Sequence, residues 1–247
     1  MSFIRQSGSS YGAEVSGYDA GLRSYMLGVY NYMASALALT GVVALFAASS
    51  NAFMSVLYQI GADGRIVGMT GLGMVAAFAP LAFVLALSFG INKMRVSTVQ
   101  TVFFAYAAVM GISMSSIFLV YTGTSIARVF FITAGMFGAM SLYGYTTKRD
   151  LSGFGSFLMM GLIGVILASV VNIFLASSAL GFALSIAGTL IFVGLTAYDT
   201  QSIKQMYWMV AGDGEAAAKS SVMGALRLYL DFINMFYYML HFFGDRK

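Results

Sequence analysis

The sequence predicts an all-α, polytopic integral membrane protein built as a seven-transmembrane-helix bundle, and three observations carry that expectation. Only 9% of the 247 residues are charged, while 60% are hydrophobic and 15% aromatic; a soluble domain carries about 25% charged residues to wet its surface. The apolar residues fall in runs of about twenty, enough helix to cross a ~30 Å hydrocarbon core. Those runs are continuous and lack the ten-residue alternation of a membrane β-barrel.

Residues 1–24 read as a flexible, polar cytoplasmic tail rich in Ser and Gly, without the apolar stretch and small-residue cleavage site of a signal peptide. A single transmembrane domain is expected over 25–247. Its spans fall at roughly 25–48, 67–91, 99–121, 126–146, 156–177, 180–203 and 222–243, separated by short polar breaks. Seven such spans use about 140 residues, which leaves no room for a second, soluble domain. Pro80, the one proline, removes a helix hydrogen bond within the second span and is expected to bend it near Ala76. Gly135 and Ala139, four residues apart in the fourth span, are expected to let two helices approach closely.

Basic residues orient the spans. The tail and the even-numbered loops carry Arg5, Arg23, Lys93, Arg95, Lys148, Arg149, Lys204 and Lys219, eight in all; Arg65, Arg128, Arg246 and Lys247 make four on the other side. The positive-inside rule then places the N-terminus in the cytoplasm and the C-terminus opposite. The net charge of +4 is assigned to these loops, and no nucleic-acid partner is expected.

Composition also removes whole classes of chemistry. The chain has no cysteine and one histidine, His241, so thiolate metal sites, disulfides, cysteine nucleophiles and histidine clusters are excluded. The eighteen methionines read as packing filler. Gly71-Leu-Gly73-Met-Val-Ala76 fits a dinucleotide fingerprint on paper but lies within a span with no preceding strand. Around Gly214 and Lys219 the spacing of a phosphate loop fails at Ala218. No cofactor is expected and the chain is not read as an enzyme.

One segment is chemically informative. At about 100° per residue, Arg227, Asp231, Asn234, Tyr238 and His241 fall within an arc of about 80° on the last span. A helix polar along one edge cannot turn that edge to lipid, so it faces a bundle interior or a watery path. On the sixth span Asp199 shares a face with Ser185, Gly188 and Thr196. Asp199 and Asp231 are the only acidic residues within the seven runs, and antiparallel neighbours would bring them to similar depth. At about 4 Å and an effective dielectric near 20, two carboxylates repel by ~4 kcal/mol. Such a pair titrates as a unit and can share a proton. Two carboxylates also fall short of the six to eight oxygens of a tight Ca²⁺ site. They suit weak, transient Ca²⁺ passage.

These residues carry a family resemblance. Gly194-Leu-Thr-Ala-Tyr-Asp199-Thr-Gln-Ser-Ile-Lys204-Gln-Met-Tyr207 resembles the signature of the Bax inhibitor-1 (transmembrane Bax inhibitor motif) family. Leu228-Tyr-Leu-Asp231-Phe-Ile-Asn234-Met-Phe matches its last helix, and Lys148-Arg149-Asp150-Leu-Ser152 and Gly111-Ile-Ser113 also fit. The resemblance covers about residue 25 to the end and points to a bacterial, inner-membrane member. It implies a seven-helix bundle with the last helix central, and a pH-sensitive calcium leak gated by an aspartate pair, here Asp199 and Asp231. It also implies a basic partner after the second helix, at Lys93 or Arg95. Ca²⁺, protons and the lipid bilayer are the expected partners. Some bacterial relatives instead modulate a membrane-bound protease, so a regulatory protein without ion flux is the alternative function. An intramembrane aspartyl protease also places two aspartates on its sixth and seventh helices, but it needs Gly-x-Gly-Asp where this chain has Tyr229-Leu-Asp231, and a later Pro that is absent.

Overall fold

The computed structural model describes residues 7–61 and 66–247, with side chains described for 20–61 and 67–247. It is an all-α, multi-pass membrane architecture. Helix α1 spans Ser7–Ser49, α2 Asn51–Leu57, α3 Gly71–Gly90, α4 Val96–Met114, α5 Ile117–Val120, α6 Gly123–Thr146, α7 Ser152–Leu175, α8 Ser178–Val210 and α9 Gly214–Phe243. Of the tail expected over 1–24, residues 1–6 lie outside the described residues, and 7–19 are described only as backbone at the start of α1.

Six stretches of the described residues are long and apolar enough to cross a bilayer: Ala20–Ser49, Gly71–Lys93, Val96–Val120, Gly123–Thr146, Ser152–Leu175 and Ser178–Val210. Helix α9 has the length but not the apolarity, because its polar edge lowers its hydropathy. It compensates by burial: fifteen of its thirty residues are buried, and it packs against α1, α4, α6 and α8. Helices α3 and α7 are the opposite case, with three buried residues each. Their Val, Leu and Phe side chains face outward, which is stable only against lipid tails.

Three boundaries differ from the sequence expectation. Residues 67–69, assigned to the second span, belong instead to a short strand, Ile66–Met69, that pairs antiparallel with Tyr58–Ile60 and sets Tyr58 opposite Met69. The third span breaks at Ser115–Ser116, where the Ser115 hydroxyl and amide both bond to the Ile112 carbonyl and compete with the helix ladder. The polar segment 205–221 is no loop: α8 runs on to Val210, and the Asp213 side chain accepts from the amides of Glu215 and Ala216 to start α9.

Beyond α9 the chain folds back as a strap. Arg246 pairs with Tyr121 in an antiparallel bridge. The Thr122 amide donates to the Asp245 carbonyl at 3.1 Å, and the Asp245 carboxylate meets Arg128 at 2.6 Å. The end of α9 is thereby fastened to the turn between α5 and α6.

The expected close approach at Gly135 and Ala139 does not occur. Both are exposed, and a Cβ on Gly135 would meet nothing. The close approach on that helix is at Gly144, where a Cβ would run into the Ala197 backbone of α8. Gly144→Ala should therefore force α6 and α8 apart at a cost of about 1–3 kcal/mol, while Gly135→Ala should stay within about 0.5 kcal/mol of the parent. Thermal melts of the detergent-solubilised variants separate the two outcomes.

Candidate functional site: the α8–α9 carboxylate pair

Helices α8 and α9 are joined by the short turn at residues 211–213 and run antiparallel with the most extensive contact in the molecule. Their register can be followed along the seam. Ile203 packs where a Gly224 side chain would be, Tyr238 lies across Gly188, and the Ser185 hydroxyl bonds to His241 Nδ1 at 2.9 Å. Between the first and second of these contacts, Asp199 and Asp231 face one another.

The two aspartates differ in burial. Asp231 is 4% exposed and its Oδ2 is fully enclosed without a hydrogen-bond partner. Asp199 is half-buried. Their carboxyls interact side chain to side chain, and the Arg227 guanidinium acts on both. A carboxyl–carboxyl contact is a hydrogen bond only when one partner carries a proton.

Arg227, one helical turn from Asp231, is exposed. It lines a cavity of about 510 Å³ whose walls also include Asn92, Asp213, Lys219 and Ser220. Lys219 is paired with Glu215 at 2.8 Å, and Asp213 caps α9. The cavity thus lies beside the α8–α9 turn with Arg227 in its wall.

Other expected site residues are distributed along the seam. The Asn234 amide donates to the Leu230 carbonyl of its own helix at 2.8 Å. Tyr238 stacks on Phe192 at 6.0 Å. Tyr238 and His241, with Asn172 and Ser185, line a separate polar cavity of about 310 Å³ toward the far end of the seam. Lys93 and Arg95 are both exposed, and Arg95 precedes the first residue of α4. Arg227, not either of these, is the cation that acts on the carboxyls. Among the described residues no group of three His, Cys, Asp or Glu comes together.

The threonines around Asp199 are satisfied locally. Thr196 and Thr200 donate to the Phe192 and Thr196 carbonyls, each at 2.8 Å. Deeper support comes from the α1–α4 side, where the Thr40 hydroxyl bonds to both the Tyr229 hydroxyl at 2.7 Å and the Ala107 carbonyl at 2.9 Å. That network holds α9 two residues from Asp231.

Two functional-looking residues were missed by sequence reasoning. The Gln201 carboxamide accepts from the Leu151 amide and donates to the Arg149 carbonyl, both at 2.8 Å. Lys204 donates to the Tyr145 carbonyl at 2.9 Å and sits 5.0 Å over its ring. Both residues stand in the signature segment beside Asp199. Together they fix the loop between α6 and α7, in which the Ser152 hydroxyl and amide hold the exposed Asp150 carboxyl below the usual carboxylate range.

The comparisons place the chain in a family. The family described as inhibitor of apoptosis-promoting Bax1 matches residues 22–247, which takes in the whole α8–α9 pair. The chain belongs to the Bax inhibitor-1 family. It is 50% identical to the inner membrane protein YbhL of Escherichia coli over 92% of this chain and 94% of that protein. It is 51% identical to an uncharacterised protein of Rickettsia prowazekii over 93% of each chain, and 33% identical to a membrane protein of Streptococcus pyogenes over 92% and 94%. Family membership makes Gln201 worth testing beside the aspartates. Gln201→Leu leaves the Leu151 amide and Arg149 carbonyl without their partner, a loss of about 1–3 kcal/mol locally. Limited trypsin digestion should then cut at Lys148 or Arg149 faster than in the parent.

Proposed function

We propose that this protein is a pH-sensitive calcium leak of a bacterial inner membrane, gated by a proton shared between Asp199 and Asp231. The observation that carries the reading is an enclosed carboxyl, Asp231, whose Oδ2 has no partner while a second carboxyl and a guanidinium face it. An uncompensated buried charge costs several kcal/mol, so the arrangement favours a proton between the carboxyls or a cation beside them. With the proton, the carboxyls attract and the seam closes. Without it, they repel, and a passing cation or Arg227 takes up the charge. Two carboxylates hold Ca²⁺ too loosely to store it, which suits transit. Ca²⁺ is cargo here, and the cavity at Arg227 supplies an approach from the α8–α9 turn.

The same proposal takes α9 as the seventh crossing, at the centre of the bundle, with the N-terminus cytoplasmic. Its burial against four helices supports that place, and the distribution of basic residues supports the orientation. Arg23 and Tyr145 line one groove, with Lys204 over Tyr145, at one end of the bundle; at the strap Arg128 pairs with Asp245 and Arg246 bridges to Tyr121. Reporter fusions should place the two termini on opposite sides of the membrane; termini on one side would remove the seventh crossing.

In liposomes, the parent protein should pass Ca²⁺ with a steep dependence between roughly pH 5 and 8. Asn at Asp199 or at Asp231 keeps shape and hydrogen bonding but cannot ionise, so either change should flatten the profile. Asn variants that keep the parent's profile overturn the aspartate gate, and a parent without flux at any pH overturns the leak in favour of a regulatory protein.

A further inference from the structure

A groove of about 490 Å³ runs between α1 and α6, away from the carboxylate pair. That volume is within the range of small-molecule sites. Its walls are Leu27, Phe137, Gly138 and Leu142, with Tyr30 and Ser141 beneath. The two hydroxyls do not make the groove polar. Tyr30 and Ser141 bond to one another, and Ser141 bonds onward to Thr200 of α8 at 3.0 Å, so their polar atoms are spent within the bundle. Leu27 and Leu142 are 52% and 64% exposed, and a Cβ on Gly138 would meet nothing. The groove is therefore open sideways, to the bilayer.

Its mouth is basic. Arg23 lines one end, and Tyr145 closes the same end with the Lys204 ammonium 5.0 Å over its ring. Lys148 and Arg149 follow three and four residues after Tyr145 and are exposed. The one carboxylate in that loop, Asp150, is engaged by Ser152. An apolar cleft that opens to lipid, with cations gathered at the membrane–water boundary, has the chemistry of one occupant. Basic pockets between transmembrane helices hold anionic lipid head groups.

We infer that this groove binds an anionic phospholipid, with an acyl chain along Leu27, Phe137 and Leu142 and the phosphate at Arg23. The site is independent of the calcium reading, because no residue of the carboxylate pair lines it. The Ser141–Thr200 bond places the groove's floor one residue from Asp199 along α8.

The test is native mass spectrometry of the full-length protein purified with equimolar phosphatidylglycerol and phosphatidylcholine. A cation near the membrane surface is worth about 1 kcal/mol, or about fivefold. Phosphatidylglycerol should be retained at least about fivefold over phosphatidylcholine. Arg23→Gln should reduce that preference by about fivefold. Gly138→Leu places a side chain in the groove from a position where a Cβ meets nothing and should lower retention of both lipids, whereas Gly135→Leu, whose Cβ is equally open but outside the groove, should leave retention unchanged and controls for folding. Equal retention of the two lipids by the parent overturns the inference. So does a Gly138→Leu protein that retains both lipids as fully as the parent, which would assign the preference to the basic surface alone.

Discussion

The antiparallel seam between α8 and α9 is the contact around which the other helices are placed. Inside a bilayer a polar group has no water to fall back on, so each must find a partner within the protein. The seam gathers an unusual share of such groups: Asp199, Asp231, Ser185, Thr196, Thr200 and His241. Most are satisfied by short bonds, the threonines to their own helix and Ser185 to both Gly181 and His241. Small residues allow this. Gly188 lies beneath the Tyr238 ring and Gly224 beneath Ile203, so the two helices come close enough to exclude lipid from the polar strip. Helices α1, α4 and α6 then cover the remaining sides of α9, while α3 and α7 cover less and meet lipid more.

That arrangement explains why the apolar helices and the polar helix are so unlike one another. Helix α7 has the highest hydropathy of the six membrane candidates, and α3 is close behind; both bury little. Helix α9 falls short of a spanning hydropathy yet is half buried by residue count. A polar helix of this kind is stable in a membrane only if its neighbours shield it. The strap from Gly244 to Lys247 adds a tether at one end, and the Asp213 cap and the α8–α9 turn add one at the other.

The parts of this design that were legible in the sequence are those with a one-dimensional signature. Long apolar runs give the helices. Two isolated carboxylates within such runs stand out because an unpaired charge is costly there, and the structure brings Asp199 and Asp231 together. What was not legible depends on partners distant along the chain. Gln201 reads as an ordinary polar residue until the backbone of Arg149 and Leu151, some fifty positions away, arrives beside it. Gly135 and Gly144 look equivalent as small residues, but only Gly144 meets another helix. The end of the strand Ile66–Met69 was absorbed into an apolar run because Val67 and Met69 suit strand and helix alike. Arg227 was placed on the polar edge with Asp231, yet a long side chain near a cavity can carry its charge outward, and it is exposed where Asp231 is not.

This last difference bears on how the pair can work. The charges that act on the two carboxyls are their own and that of Arg227. With one shared proton the cluster carries one negative and one positive charge and is neutral, the state that a low-dielectric seam tolerates best. In the proposed gate, removing the proton leaves a net charge of −1 around the enclosed Asp231. The deficit can be met by a cation drawn through the cavity at Arg227, or by separation of α8 from α9 so that water enters. Both responses open the same seam. In the proposed gate Arg227 sets the balance between them, because its guanidinium is a tethered cation in the wall of the cavity beside the α8–α9 turn.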